Sequence, residues 1–387
     1  MDFEIPGRYV KDLHRFKEFL DHNLDPQLST WYQEGAVPRS FFSAMGQAGW
    51  LGVAPKKSGP VSMPACKWAL LTEQLAVRSP GVAVAVLAHV DLGLKGLLRF
   101  GPGQLLKRYG PPAARGEIIF CLGNSERHAG SDVAAIAMGA KKIQGGWRVS
   151  GTKAYVTNGL SADFALVTAV TEPDAQKNSR ISMFLVDLAG QGVSRTRLNK
   201  RGWVPSDLTR LRFDDVFVPD DHLVGKQGRG LQQVLEIFAH SRVLISALTL
   251  GTAVGAFDTA FNHAGHRKIF GRKVLDFQAK AFEIADMYTK IEAARLMLGK
   301  ACSDMDRGGN VRLSGSMSKY FSVKIAREVA QWAADLFGAA SIMQEHPIHK
   351  FPLDVWAASL GEGTQDVQKL VIFREVVKQY GVAGGSV

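Results

Sequence analysis

The hydrophobic pattern of this chain changes period twice, and that change limits the possible folds more than any other feature. In the first part, apolar residues recur at helical spacing. Leu13, Phe16, Phe19 and Leu20 share one face over 10–20, Phe41, Phe42 and Met45 continue the pattern, and 63–76 and 82–98 are long apolar runs with few breakers. Pro111-Pro112 is expected to close this part. From Ile118 short β-rich runs take over: 118–122, 147–150, 154–157, 164–170, 181–186, 211–213 and 216–218, with Gly145-Gly146 and Asn158-Gly159 as turn signals. Seven short strands so close together predict a small barrel or sandwich. After Gly225 the helical spacing returns over 234–263, 277–301, 314–337 and 365–379, with Arg307-Gly308-Gly309 as a turn and Pro347 and Pro352 as punctuation. The expected class is α+β: an N-terminal helical domain over 1–117, a middle β domain over 118–225 and a C-terminal helical domain over 226–387.

A chain of 387 residues buries a large core without disulfides. Its 47 Lys and Arg exceed its 36 Asp and Glu by 11, which invites a nucleic-acid reading. The excess is spread over all three parts and forms no tail or block, so no nucleic-acid partner is expected. A diffuse positive field suits a small or carrier-borne anionic substrate. The apolar run around 81–89 is too short for a membrane span and soon meets Asp91 and Lys95, so no span is expected. Met1-Asp2-Phe3-Glu4 has no leader character. Cys66, Cys121 and Cys302 are odd in number and scattered, which fits a reducing, cytoplasmic setting and no metal cluster. His263/His266 and His346/His349 have no evident third ligand and read as surface or capping residues. No phosphate loop, Rossmann fingerprint or nucleophile elbow is present.

Three local features carry possible chemistry. Ala129-Gly130-Ser131-Asp132 follows the first β run, where small residues and a hydroxyl can wrap a phosphate. Tyr155-Val156-Thr157-Asn158 ends a strand with an aromatic and a hydroxyl that could face a flat heterocycle. Leu360-Gly361-Glu362-Gly363-Thr364-Gln365 sets a carboxylate between two glycines directly before a long helix, where free N–H groups can bind an anion and a partly dry Glu can act as a base or simply cap the helix.

Taken in order, these pieces resemble the acyl-CoA dehydrogenase family of flavoproteins. Ser125-Glu126-Arg127-His128-Ala129-Gly130-Ser131-Asp132 is similar to the family's hallmark before the β domain, and Tyr155-Val156-Thr157-Asn158-Gly159 to its flavin strand. Lys200-Arg201-Gly202-Trp203 and Phe213 to Pro219 match the end of the middle domain, Arg267-Lys268-Ile269-Phe270-Gly271 with Gln278 a later motif, and Glu362-Gly363-Thr364 the catalytic Glu-Gly-Thr. The resemblance implies FAD, a C-terminal four-helix bundle and a homodimer or homotetramer. It implies that Glu362 removes the α-proton of an acyl thioester while the β-hydrogen leaves as hydride to flavin N5. It further implies FAD contacts from Ser125, Ser131, Tyr155, Thr157 and Thr364, and contacts to a neighbouring subunit's FAD from Arg267, Phe270, Gln278, Asp335, Gly338 and Ala339. Asp91, Ser241, Arg242 and Gly363 are implied on the substrate side, with thioester polarisation by the backbone N–H of Glu362.

The chain departs from that pattern in places. Arg127 replaces a Pro, Ile269 a hydroxyl residue, Gly361 the aromatic before the base and Leu353 an Arg before Asp354, while Asp335-Leu336-Phe337-Gly338-Ala339-Ala340-Ser341 replaces a glycine-rich FAD contact. An Asp beside a pyrophosphate is repulsive unless it meets ribose hydroxyls. Asp91 stands where relatives have Ser or Asn. It reads either as an i, i+4 partner of Lys95 or as a pocket residue that selects a polar, cyclic or unusual acyl group. The expected function is dehydrogenation of acyl-CoA with an electron-transfer flavoprotein or similar acceptor. The alternatives are an acyl-carrier-protein-bound substrate, a flavin monooxygenase or oxidase, and a non-catalytic flavin or acyl-thioester binding protein.

Overall fold

The computed structural model describes residues 7–54 and 59–381; Met1–Glu4 lie outside them. The N-terminal part holds α1 (Gly7–Asn23), α2 (Leu28–Glu34), α3 (Arg39–Gln47), a minimal hairpin of β1 (Val53–Ala54) and β2 (Val61–Ser62), α4 (Ala65–Arg78), α5 (Pro80–Leu87), α6 (Lys95–Phe100) and α7 (Gly103–Ala114). Ser79 caps α5 with its hydroxyl oxygen on Val82 N, and Pro80 supplies a preset φ at the first position. The chain stays helical from α5 into α6 through a π-helical turn over Ala88–Leu94. Pro111 and Pro112 do not close this part but lie inside α7. A proline gives up its N–H yet keeps its carbonyl, and here both carbonyls receive N–H groups from Arg115, Glu117 and Ile118 just past the helix.

The middle part is a seven-stranded sheet of β3 (Phe120–Gly123), β4 (Gly139–Ile143), β5 (Gly146–Thr157), β6 (Phe164–Val170), β7 (Ile181–Asp187), β8 (Val193–Arg197) and β9 (Leu208–Pro219). The count matches expectation but the strands differ. Runs 147–150 and 154–157 are two halves of β5, and 211–213 and 216–218 two halves of β9. Register shifts between Val149 and Gly151 and between Lys153 and Val156 break the alternation, so one long strand reads as two. Strands β4 and β8 are too polar to announce themselves, and their pairing with β5 and β9 makes them strands. β3 runs parallel to β6, and β7 lies antiparallel on the other edge of β6.

The C-terminal part comprises α8 (Gly230–His266), a hairpin of β10 (Lys268–Ile269) and β11 (Arg272–Lys273), α9 (Gln278–Asp306), α10 (Val311–Phe337), α11 (Lys350–Leu360) and α12 (Gln365–Gln379). α8 is buried along most of its length and packs on α4, α9, α10 and α11, tying the N-terminal helices to the bundle. α11 has no long apolar pattern to betray it, and Pro352 sits harmlessly in its first turn. Two helical runs, Pro80–Phe100 and Gly230–His266, are long and apolar enough to cross a membrane, against the expectation of none. Asp91 and Lys95 do not end the first run, because they neutralise each other inside the fold. In each run 83% of the apolar window is buried, so these are core helices here.

Candidate active site

Between α11 and α12 the chain makes a tight turn, Gly361-Glu362-Gly363, with Thr364 capping α12 through Val367 N. Glu362 sits at φ 55 and Gly363 at φ 97. A left-handed backbone costs a non-glycine residue energy and persists only where surroundings impose it. Here they do. Lys319 on α10 donates to the carbonyls of Gly361 and Gly363, the latter at 2.6 Å. Gln368 on α12 donates to the carbonyls of Glu362 (3.2 Å) and Gly363 (2.9 Å), and Arg242 Nε on α8 to that of Glu362 at 3.3 Å. All three turn carbonyls are thus engaged, while the N–H of Glu362 has no partner among the described residues.

The Glu362 carboxylate accepts a 2.6 Å hydrogen bond from Ser241 Oγ, one residue before Arg242 on α8. Burial pushes its pKa above the usual carboxylate range, and the charge of Asp91 adds to this, while Ser241, Lys319 and Arg242 pull the other way. Lys319 is fully buried, and burial pushes its ammonium well down against the attraction of Glu362. Asp91, in the π-helical turn, accepts from Trp68 Nε1 and from Lys95 Nζ, each at 2.8 Å, so the i, i+4 pair forms. It also lines a cavity of about 720 Å³ together with Lys95, Arg99, Ile237 and His240.

A ring from a distant part of the chain flanks Gly361. The Trp203 ring lies 3.5 Å from where a Cβ on Gly361 would be. Trp203, itself at φ 54, donates its backbone N–H to Asp354 on α11, so the end of the middle part is fastened to the helix that leads into the Glu362 turn.

On the sheet, Tyr155 (φ 58) and Asn158 (φ 64) bracket Thr157 at the end of β5. Asn158 Nδ2 donates to Ala85 O at 2.7 Å, which fixes this strand end against α5. The loop of Ser125 to Ser131 is held to β5 by a buried ion pair, Lys153 Nζ to Glu126 Oε1 at 2.7 Å, and Glu126 also accepts from Ala137 N and Met138 N. The side-chain hydroxyls of Ser125, Ser131 and Thr157 make no hydrogen bond among the described residues, and the Tyr155 side chain is 63% exposed.

The remaining predicted residues lie elsewhere. Phe270-Gly271 is the tip of the β10–β11 hairpin, with φ 48 and 78, and Phe270 is 94% exposed. Stacking of His263 on Phe337, with ring centroids 4.0 Å apart, brings Arg267, Phe270 and Gln278 to the same end of the bundle as Asp335, Gly338 and Ala339. Along α8 that end is roughly 38 Å from Arg242. Asp335 is exposed and accepts from Gln331 on its own helix. His266 and His349 bond backbone carbonyls of Asn262 and His346, and no metal-holding cluster of His, Cys, Asp or Glu exists among the described residues.

Sequence reasoning missed Lys319, Gln368, Lys153 and Trp203. Lys319 interrupts the buried stripe of Gly315, Ser322, Val323 and Ala326 on α10, and Lys153 falls on the inward alternation of Trp147, Val149 and Gly151. A lysine where the period calls for an apolar residue was the available signal.

Sequence profiles of three domains match the chain in order: acyl-CoA dehydrogenase N-terminal domain over 13–117, middle domain over 121–216 and C-terminal domain over 228–377. Benzylmalonyl-CoA dehydrogenase of Aromatoleum aromaticum is 30% identical over 97% of this chain and 100% of its own. The Caffeyl-CoA reductase-Etf complex subunit CarC of Acetobacterium woodii is 29% identical over 98% and 100%. Butyryl-CoA dehydrogenase from Megasphaera elsdenii superposes with a TM-score of 0.93 at 26% identity, covering 97% of this chain and 100% of its own. The family's cofactor is FAD, and the uncommitted hydroxyls of Ser125, Ser131 and Thr157 beside an exposed Tyr155 ring fit a polar heterocycle with a diphosphate. Helical ends and sheet agree with this match over nearly the whole length, and the chain belongs to the acyl-CoA dehydrogenase family.

Proposed function

We propose that Glu362 is the base in an FAD-dependent α,β-dehydrogenation of an acyl-CoA, taking the α-proton on its carboxylate. One observation carries this reading: a partly buried carboxylate held in a left-handed turn, bonded to Ser241, with the N–H of the same residue left free. An α-C–H is a very weak acid, so its removal needs a polarised thioester carbonyl together with a base. The free Glu362 N–H is the donor for that carbonyl, and burial raises the carboxyl's proton affinity toward what a working base needs. Bound FAD supplies the acceptor for the β-hydride. Tyr155 and Thr157 face it from the sheet, Ser125 and Ser131 hold its polar groups, Thr364 lies at its C-terminal side, and Gly363 with Ser241 and Arg242 shapes the thioester site.

The reading predicts that Glu362→Gln keeps bound FAD but reduces it about 10³–10⁴-fold more slowly with an acyl-CoA. Anaerobic bleaching of the flavin at the wild-type rate in that variant would remove the assignment. A polar acyl group is supported by the charged wall of the cavity that Asp91 lines. Asp91→Asn is expected to slow flavin reduction unequally across a panel of neutral and polar acyl thioesters, and equal losses would exclude a role in selection.

Electrons pass on to an electron-transfer flavoprotein. The even basic surface suits either CoA or an acidic acyl carrier protein, and the same bleaching assay with the two thioesters separates them. A homodimer or homotetramer is supported by the exposed Phe270 hairpin and by the exposed Arg267, Gln278, Asp335, Gly338 and Ala339, which lie too far from Glu362 to serve the same FAD. Exposed Phe282, Tyr288 and Leu296 on α9 offer further apolar surface for such contacts. A cytoplasmic location is supported by three free cysteines, two of them buried.

A further inference from the structure

We infer that Lys319 is a positioning residue for the base: by binding the carbonyls on both sides of Glu362 it sets the turn that aims the carboxylate at Ser241 and the Glu362 N–H at the substrate. This rests on the reading of Glu362 as the base. A fully buried lysine normally meets a carboxylate, as Lys153 does. Lys319 forms no ion pair among the described residues, and its hydrogen bonds go to Gly361 O and Gly363 O. Its neighbours on the buried stripe of α10 are Gly315, Ser322, Val323 and Ala326. An apolar residue there would be buried without desolvating a charge, so what the ammonium adds is its hydrogen bonds to the turn.

The geometry explains how. The carbonyl of Gly361 and the N–H of Glu362 belong to one planar trans peptide and point in opposite directions. Holding that carbonyl on α10 turns the Glu362 N–H away from α10. Arg242 and Gln368 fix the next peptide plane through the Glu362 carbonyl, so both dihedrals of Glu362 are set from outside. The charged groups around the Glu362 carboxyl are Lys319 from α10, Arg242 from α8 and Asp91 from the π-helical turn, with the Ser241 hydroxyl bonded to it. Of the two cations, Lys319 alone bridges both glycines.

The test compares FAD-loaded wild type with Lys319→Met. Carbon-13 titration of Glu362 without substrate, assigned by the signal lost in Glu362→Gln, is expected to move to higher pH when the ammonium is removed. Stopped-flow flavin reduction by an acyl-CoA is expected to slow about 100-fold per bound flavin, with KM nearly unchanged, because a small misplacement of the reacting groups is enough for such a loss. Lys319→Gln, which keeps one donor for the turn, should fall between, and it carries the test if the Met variant does not fold. An unmoved titration, or a normal rate per bound flavin beside a lowered melting temperature, overturns the inference. If no acyl-CoA reduces the wild-type flavin, the base reading fails, and the titration still decides whether Lys319 controls Glu362.

Discussion

Among the described residues two lysines are completely buried, Lys153 in the sheet and Lys319 in the helical bundle, and their charge is used in opposite ways. Lys153 lies against Glu126, and that carboxylate also accepts from two backbone N–H groups. Burial pushes Lys153 down to about 8 despite the pair, while Glu126 is held below its ordinary value by Lys153 and the two amides in spite of burial. This is a closed, neutral joint between loop and strand. Among the described residues Lys319 meets only carbonyl oxygens, so its charge remains uncancelled at contact distance and acts on Glu362. A buried cation with a carboxylate in contact fastens structure, and one with only carbonyls shapes its surroundings and leaves its field for a neighbour.

The sharpest way to break this comparison is to combine variants. In a Glu362→Gln background, adding Lys319→Met should cost less flavin-reduction rate than it does in the wild type, because the carboxylate that Lys319 aims is already gone and only the backbone N–H is left to be misplaced. Adding Lys153→Met should still cost its full share of stability. A loss as large as in the wild type would show that the lysine does not act through the Glu362 carboxylate.

Next in size is Lys153→Met alone, which strands the Glu126 carboxylate in the interior. Urea unfolding is expected to show a loss of about 3–5 kcal/mol, with FAD retention reduced and the rate per bound flavin preserved. A stable variant that reduces its flavin slowly would reverse the roles assigned to the two lysines.

The smallest effect concerns another buried ionisable group, Asp354, which accepts the backbone N–H of Trp203 and has Lys350 and Lys200 nearby. Burial pushes its pKa up to about 6. The folded state therefore binds more protons than the unfolded one between about 4 and 6. Its contribution to stability is present at the acidic end of that window and is lost as pH rises through about 6. Subtracting the unfolding free energy of Asp354→Asn from that of the wild type, at several pH values, should give a difference that falls across this window. A flat difference would mean that Asp354 keeps an ordinary acidity.

What could be read from the sequence was whatever repeats or is local. Helices α1, α3, α4, α8, α9, α10 and α12 follow from apolar spacing, and α12 starts and stops where its pattern does. Glu362 stood out because glycines on both sides and a helix start behind it form a contiguous signal. The strands were less legible, since bulges in β5 and β9 cut each pattern in two, and β4 and β8 are strands because of their neighbours. Trp203 brings its ring beside Gly361 from far away in the chain, a contact that no local pattern records.

The sequence by itself determined the order of helical, β and helical parts, the family, and the glycine-flanked Glu362 as the candidate base, because periodicity and motif are properties of neighbouring residues. Only the tertiary structure decided which lysines lose their water, which carbonyls they find, and that Ser241, Arg242, Lys319 and Gln368 converge on one turn. Burial and hydrogen bonding of a charge depend on groups that meet only when the chain has folded, so a lysine inside a helix and a lysine on its surface are written with the same letter.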